Sequence, residues 1–247
     1  MTKKPSDNFI ITIDGPAAAG KSTVARRLAD RLGFRYLDTG ALYRAFTLKV
    51  LKNLKKNNLD NVDLDFNQLI RLFKKTNIYF KKKAPARLIM DGRDSTAEIR
   101  KPYVTANVYR LAESPLIRQV MMKLQRRLGQ SGQLVAEGRD LGTVVFPQAD
   151  LKFYLDASLS ERTARRLKEF KKTQHPVSLK QLGLEIKLRD RRDKTRAIAP
   201  LKPAQDSIYI NTSHLSINEA VSKLFDIVKR VFWMKFIPEK NRNASKN

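Results

Sequence analysis

Residues 9–23 read FIITIDGPAAAGKST, and the fold is decided there. Phe9 to Ile13 is a short, β-branched apolar run of the kind that fills a buried parallel strand. After Asp14 comes a loop with Gly15 and Gly20 on either side of Pro16, Ala17, Ala18 and Ala19, closed by Lys21, Ser22 and Thr23. The spacing G-x-x-x-x-G-K-[ST] is that of a phosphate-binding loop. Glycine at both ends permits backbone angles and close approaches that a Cβ would block. The N–H groups between can turn inward around phosphate oxygens, backed by the positive end of the next helix. Lys21 then reaches the outer phosphates and the Ser22 hydroxyl ligates Mg2+. By composition alone the pattern arises in about 1 of 100 chains this long, and a Gly-Pro turn before a helix would also produce it. Context favours the phosphate loop. From Thr23, VARRLADRL sets Val24, Ala25, Leu28 and Leu32 on one helical face and stops at Gly33. Strand, loop and helix together form the setting that a nucleoside triphosphate site requires.

Outward from this unit the alternation repeats. FRYLDTG reads as a strand ending in a polar turn at Asp38-Thr39-Gly40, and ALYRAFTLKVLKNL has helical spacing. After a polar break, FNQLIRLFKK is a short helix. NIYFKKK and RLIMDG, around Ala84-Pro85-Ala86, read as a small hairpin. PYVTANVYRLAES and PLIRQVMMKLQRRLG are helices that each open on a proline. GQLVAEGRD, ADLKFYLDAS and DSIYINTS supply further strands, and SERTARRLKEFKK, LKQLGLEIKLRDRRD and INEAVSKLFDIVKRVFWMKF further helices. Five strands near 9–13, 35–38, 133–137, 151–155 and 207–210, separated by helices, predict a doubly wound α/β parallel sheet. Ligands of such a sheet sit at the strand ends, where the phosphate loop and the DTG and EGRD turns fall.

At 247 residues the chain can hold one sizeable α/β domain with insertions. No stretch approaches the ~18–20 uncharged apolar residues of a membrane span. MTKKPSDNF lacks an apolar signal core, so the expected location is cytoplasmic. Zero cysteines exclude disulfides, thiolate zinc sites and thiol catalysis, and fit a reducing compartment. His175 and His214 read as loop or surface residues. Fifty basic against 24 acidic residues give a net charge of +26, which attracts polyanions. The charge is spread over the chain, with runs at Lys81-Lys82-Lys83 and in the final EKNRNASKN, and no RNA-recognition aromatic signature accompanies it. It reads as a solvated basic surface.

Which phosphate chemistry follows depends on the arginines. No N-K-x-D motif of the GTP-reading kind is present. In RDRRDKTR, residues 189–196, five of eight positions are basic, against one in five for the whole chain. SERTARR adds Arg162, Arg165 and Arg166. A charged, solvent-facing helix held by Asp190 and Asp193 pairs would account for the cluster taken alone. Beside a phosphate loop it reads instead as the counter-charge of phosphoryl transfer, in which two polyanions are brought together. A mobile arginine-rich segment can close over both and exclude water.

These stretches resemble the bacterial cytidylate kinases, a family of P-loop nucleoside monophosphate kinases. The matching residues are TIDGPAAAGKST, YLDTGALYR, DGRDSTAEIR, PLIRQVMMKLQRR, EGRDLGTVVFP, FYLDAS and IKLRDRRDKTRAIAPL, in order, over about residues 9–230. EGRDLGTVVFP and the RDRRDKTRAIAP block are the distinctive ones. The resemblance implies a five-stranded parallel sheet core with helices on both faces, an inserted monophosphate-binding lobe near 45–110 and a short arginine-rich lid near 172–197. The domain would span 9–232, between a flexible N-terminus (1–8) and a basic tail (233–247). It implies ATP and Mg2+ as cofactors and CMP, with dCMP, as acceptor.

By the same resemblance, Thr39 and Arg44 hold the acceptor phosphate, and Arg118 and Asp140 face the cytosine edge. Arg139 joins the acceptor contacts. Arg189, Asp193 and Arg196 bind the monophosphate's phosphate and ribose, and Arg192 bridges toward the transferring group. Residues 15–23 hold ATP, with Arg162 and Arg166 as further nucleotide contacts. Asp14 and Glu137 either order Mg2+ and its waters or cap backbone N–H groups. The sequence departs from the family pattern at several positions. Tyr109 stands where a serine touches the base, Glu137 replaces an aspartate, Ser95 takes an apolar position, and Ala17 and Ala18 replace serine and glycine. Two rivals remain at this point: a P-loop kinase of UMP or a non-nucleotide alcohol, and a basic nucleic-acid-binding P-loop protein. A monomer acting on small molecules, with no specific nucleic-acid partner, is the expectation.

Overall fold

The computed structural model describes residues 8–81, 87–130, 132–171 and 178–236. The expected flexible N-terminus up to residue 7, Lys82-Lys83, the Ala84-Pro85-Ala86 turn, His175, the opening of the expected lid (172–177) and the tail from 237 lie outside the described residues. In chain order, β1 (Ile10–Asp14) leads to α1 (Lys21–Leu32), β2 (Arg35–Asp38) and α2 (Thr39–Leu54). Then come α3 (Phe66–Lys74), β3 (Ile78–Lys81), β4 (Arg87–Met90), β5 (Arg93–Asp94), α4 (Pro102–Ala112) and α5 (Pro115–Gly129). β6 (Leu134–Gly138), β7 (Leu151–Asp156), α6 (Leu159–Lys171), α7 (Leu179–Thr195), β8 (Ile208–Asn211) and α8 (Ile217–Phe236) follow.

The chain divides into two compact units, one formed by the described residues of 1–37, 129–193 and 201–247, the other by those of 38–128 and 194–200. The first holds the five-stranded sheet, in the order β2-β6-β1-β7-β8. All five strands expected from sequence are present. β1 pairs in parallel with β6 on one side (Ile11 with Val135) and β7 on the other (Ile11 with Leu151), and β7 pairs in parallel with β8. Strands with two neighbours and both faces covered read as largely apolar runs, and β1, β6 and β7 are legible on that ground despite Thr12, Glu137 and Lys152. Ile11 and Ile13, two apart, join Val24, Ala25 and Leu28 of α1 and Leu224 and Val228 of α8 in one core cluster. At its end Phe9 meets Phe34 and Phe232 edge-on, at centroid distances of 6.1 and 5.3 Å.

In the second unit α2 packs on α4, and β3, β4 and β5 form an antiparallel sheet. The hairpin expectation therefore gains a third, two-residue strand inside DGRD, too short to show any alternation. The DTG turn is corrected: β2 runs to Asp38 and α2 starts at Thr39 without an intervening loop. Asp38 is the helix cap, its Oδ1 accepting the Ala41 N–H at 2.7 Å, so a polar trio that looks like a turn is an N-terminal cap. α7 carries Arg189, Arg192 and Asp193 as expected and runs two residues further, through Thr195. Among the described residues no helix is long and apolar enough to cross a membrane.

Candidate active site

The site of the first unit begins where β1 ends. Asp14 is 4% exposed, and its two oxygens accept the Leu141 N–H (3.0 Å) and Gly142 N–H (2.8 Å). It therefore caps the tight turn at 141–145 that follows the GRD stretch. Burial, partly offset by these two bonds, pushes its carboxyl up to about 6. Gly15 follows at φ +149°, so close to β7 that a Cβ there would lie 1.9 Å from the Leu155 carbonyl oxygen. Gly20 at φ 87° opens α1 with no side-chain cap, leaving first-turn N–H groups to an anion.

Lys21 is the first residue of α1 and only 4% exposed, with Nζ donating to the Pro16 carbonyl at 2.5 Å. Burial, then the charges of Arg139 and Arg189, pull its ammonium down to about 7, against the opposing carboxylates of Glu137 and Asp193. Three cations thus converge beside the phosphate loop. Arg139 donates Nε to Asp193 (2.9 Å) and Nη1 to the Gly138 carbonyl (3.1 Å). Glu137 accepts from the Tyr36 hydroxyl at 3.0 Å, and Asp140 is buried just beyond. Arg189 is half-buried and Arg192 exposed on α7. Arg166 pairs with Glu169 on α6 (2.8 Å), and His214 is exposed.

Two features were not read from the sequence. Ala18 stands at φ 59°, in the left-handed region, where an alanine side chain costs about 1 kcal/mol. Ala18→Gly is accordingly expected to stabilise the protein by about 1 kcal/mol, a Tm rise of roughly 2–4 °C for a domain of this size. A melting curve checks it; an unchanged or lower Tm would mean the loop does not hold that angle. The second feature is the burial of Asp190, only 7% exposed within the arginine-rich stretch. Leu182, Ile186 and Asp190 recur at intervals of four on the buried side of α7, and that spacing was the available signal.

The second unit carries the other candidates. Thr39 is buried at the start of α2. Arg44, one turn along, donates Nη2 to Asp38 Oδ2 (3.0 Å), while its buried Nε has no hydrogen-bond partner among the described residues. Arg118 is buried on α5, donating to the Ala112 carbonyl (3.1 Å) with its guanidinium 6.0 Å from the Tyr43 ring. Tyr109 donates its hydroxyl to Asp60. Its neighbour Asn107 accepts the Leu59 N–H (2.6 Å) and donates to the Asn57 and Tyr103 carbonyls (3.0 and 2.7 Å), tying down the 57–59 loop. Ser95 is buried in the same unit. Arg196 donates Nε to the Ala199 carbonyl at 2.6 Å.

A parallel sheet with a glycine-flanked phosphate loop after its central strand, and cations gathered on the loop's lysine, defines a P-loop nucleotide-binding protein. The cytidylate kinase family model matches residues 11–230, and the chain belongs to that family. A cytidylate kinase from Desulforamulus reducens is 43% identical over 225 residues, covering 91% of this chain and 99% of its own. Another, from Carboxydothermus hydrogenoformans, is 44% identical over 225 residues, with 89% and 97% covered. A third, from Solibacter usitatus, is 41% identical over 231 residues, with 93% and 96% covered.

Proposed function

We propose that the protein is an ATP:CMP phosphotransferase, moving the γ-phosphoryl of ATP to CMP to give CDP and ADP, with dCMP as a second acceptor. The observation that carries this is the convergence of Arg139 and Arg189 on a buried Lys21 at the phosphate loop. A lysine whose ammonium is pulled down first by burial and then by two neighbouring arginines is poised for a polyanion, and family membership names which one. ATP takes residues 15–23. Thr39 and Arg44 take the acceptor phosphate, and the open Arg44 Nε supports an anion there. Arg189, Asp193 and Arg196 serve the monophosphate and ribose, and Arg192 the transferring group. Asp140 accepts from the N4 amine of cytosine, whereas uracil presents an acceptor and is repelled; Arg118 serves the same base. Tyr109 stands at the family's base-contacting position.

Mg2+ keeps most of its ligands as water and phosphate oxygens, so one protein hydroxyl suffices. Ser22, beside Lys21 at the start of α1, fits that role, while Asp14 and Glu137 are already engaged by N–H and O–H donors. The ion would supply charge neutralisation on the phosphates. The protein's part is positioning and electrostatics, with direct in-line transfer and no covalent intermediate. We take it to act as a cytoplasmic monomer.

The test is ADP release from Mg-ATP with CMP, dCMP, UMP, AMP and GMP. Strong preference for CMP and dCMP is expected. Equal use of UMP would move base selection away from Asp140, and silence on all five would overturn the reading.

A further inference from the structure

Ala17 is gripped from both sides. Its N–H donates to Asp190 Oδ1 (3.0 Å) and its carbonyl accepts from Arg162 Nη1 (3.1 Å). The same Nη1 also bonds Asp190 Oδ2, and Arg162 Nε is anchored on the Ala157 carbonyl at 2.9 Å. The N–H belongs to the peptide before the Ala17 Cα and the carbonyl to the one after it, so the ion pair fixes both φ and ψ of this residue. The next residue is Ala18, held left-handed; two residues on, the Thr212 hydroxyl lies 3.3 Å from the Ala19 carbonyl, held by Arg165 Nη1 at 3.1 Å. The back of the loop is therefore bonded by side chains from α6, α7 and the segment after β8, while Lys21 and the first turn of α1 follow directly.

Arg162 and Asp190 are 8% and 7% exposed. A buried ion pair contributes little net stability, because desolvating two charges offsets their attraction. Its placement on one loop peptide is what distinguishes this one.

We propose that Asp190 and Arg162 are positioning residues for ATP that set the conformation of the phosphate loop through Ala17. For Arg162 this replaces the direct nucleotide contact that the resemblance implied, since its guanidinium is taken up by Ala157, Ala17 and Asp190. Building on the phosphotransferase reading, the pair gives the loop its N–H directions before ATP arrives, which lowers the ordering cost of binding. Asp190 also ties the loop to α7, the helix that carries Arg189, Arg192 and Asp193.

The test uses D190N, R162Q and R162K. D190N keeps an acceptor for the Ala17 N–H but loses the ion pair; R162K keeps the charge and one donor. Steady-state kinetics and direct calorimetric titration with Mg-ATP are measured together. D190N and R162Q are expected to raise the ATP KM and dissociation constant about tenfold while the CMP KM moves less than twofold, and R162K to recover to within about threefold of wild type. ATP affinity within twofold of wild type in both D190N and R162Q would overturn the proposal. So would equal rises in both KM values, the signature of a purely structural role. The R162K and R162Q pair keeps the comparison readable if D190N does not fold. If wild type binds ATP but turns over no CMP, the activity reading fails while the titrations still decide the positioning role.

Discussion

Gly15→Ala is expected to destabilise the protein by about 3–5 kcal/mol, a Tm loss on the order of 10 °C, well beyond any other single glycine of the loop. The reason is distance. An alanine Cβ at this position would lie 1.9 Å from the Leu155 carbonyl oxygen and 3.0 Å from its carbon. That backbone is part of β7, whose pairing with β1 (Ile13 with Phe153, Asp14 with Tyr154) would have to open to admit it. Neither strand can retreat, because β6 pairs with β1 and β8 with β7 on their far sides. Left-handed strain at φ +149° adds to the clash. Gly20→Ala provides the control: its φ of 87° is also left-handed, yet the nearest atom is the flexible Arg165 Nη1 at 3.6 Å. It should lose only the angular term, about 1 kcal/mol. Urea unfolding with an unchanged m-value measures both. Equal losses for the two variants would show that conformation rather than close approach selects glycine at 15.

The contrast between these glycines shows what the sequence could and could not disclose. The G-x-x-x-x-G-K-[ST] spacing identified the loop, since phosphate binding constrains positions close together in the chain. The core strands were equally legible, since burial on both faces leaves mostly apolar runs such as FIITI and FYL. The contacts that shape the loop come from far away: Asp190 is 173 residues from Ala17, Arg162 is 145 and Thr212 is 193 from Ala19. No periodicity within a segment reports such partners. The arginine-rich stretch of α7 hid its buried side for a related reason. Five basic residues in eight suggest a solvated face, and the Leu182-Ile186-Asp190 stripe shows only when the helix is followed backward into its apolar half. Asp38 was obscured by ambiguity of chemistry, since the oxygen that favours a turn also caps a helix.

Lys21→Ala is expected to lower kcat by about a thousandfold, roughly 4 kcal/mol of transition-state stabilisation, with little loss of stability. The asymmetry follows from the lysine's surroundings. Its ammonium is buried, held to Pro16 and pressed by Arg139 and Arg189. That placement disfavours the charged form and gives the fold nothing to lose when the charge is removed. With phosphates present the same ammonium meets the charge it lacks, so its energetic return is confined to the bound and transition states. Arg192→Ala should likewise cut turnover, and being exposed should leave stability within about 0.5 kcal/mol. The pH dependence gives an independent check. The folded lysine titrates near 7 and the unfolded one near 10.5, so between those values the unfolded chain binds more protons. Stability from this group therefore rises as pH increases from about 7 toward 10.5, and is lowest below 7, where the buried charge is fully present. Lys21→Met should remove that slope. Parallel unfolding curves for wild type and Lys21→Met across pH 6–9 would show that the ammonium is not under strain, and equal losses of turnover and stability in Lys21→Ala would make it a structural residue.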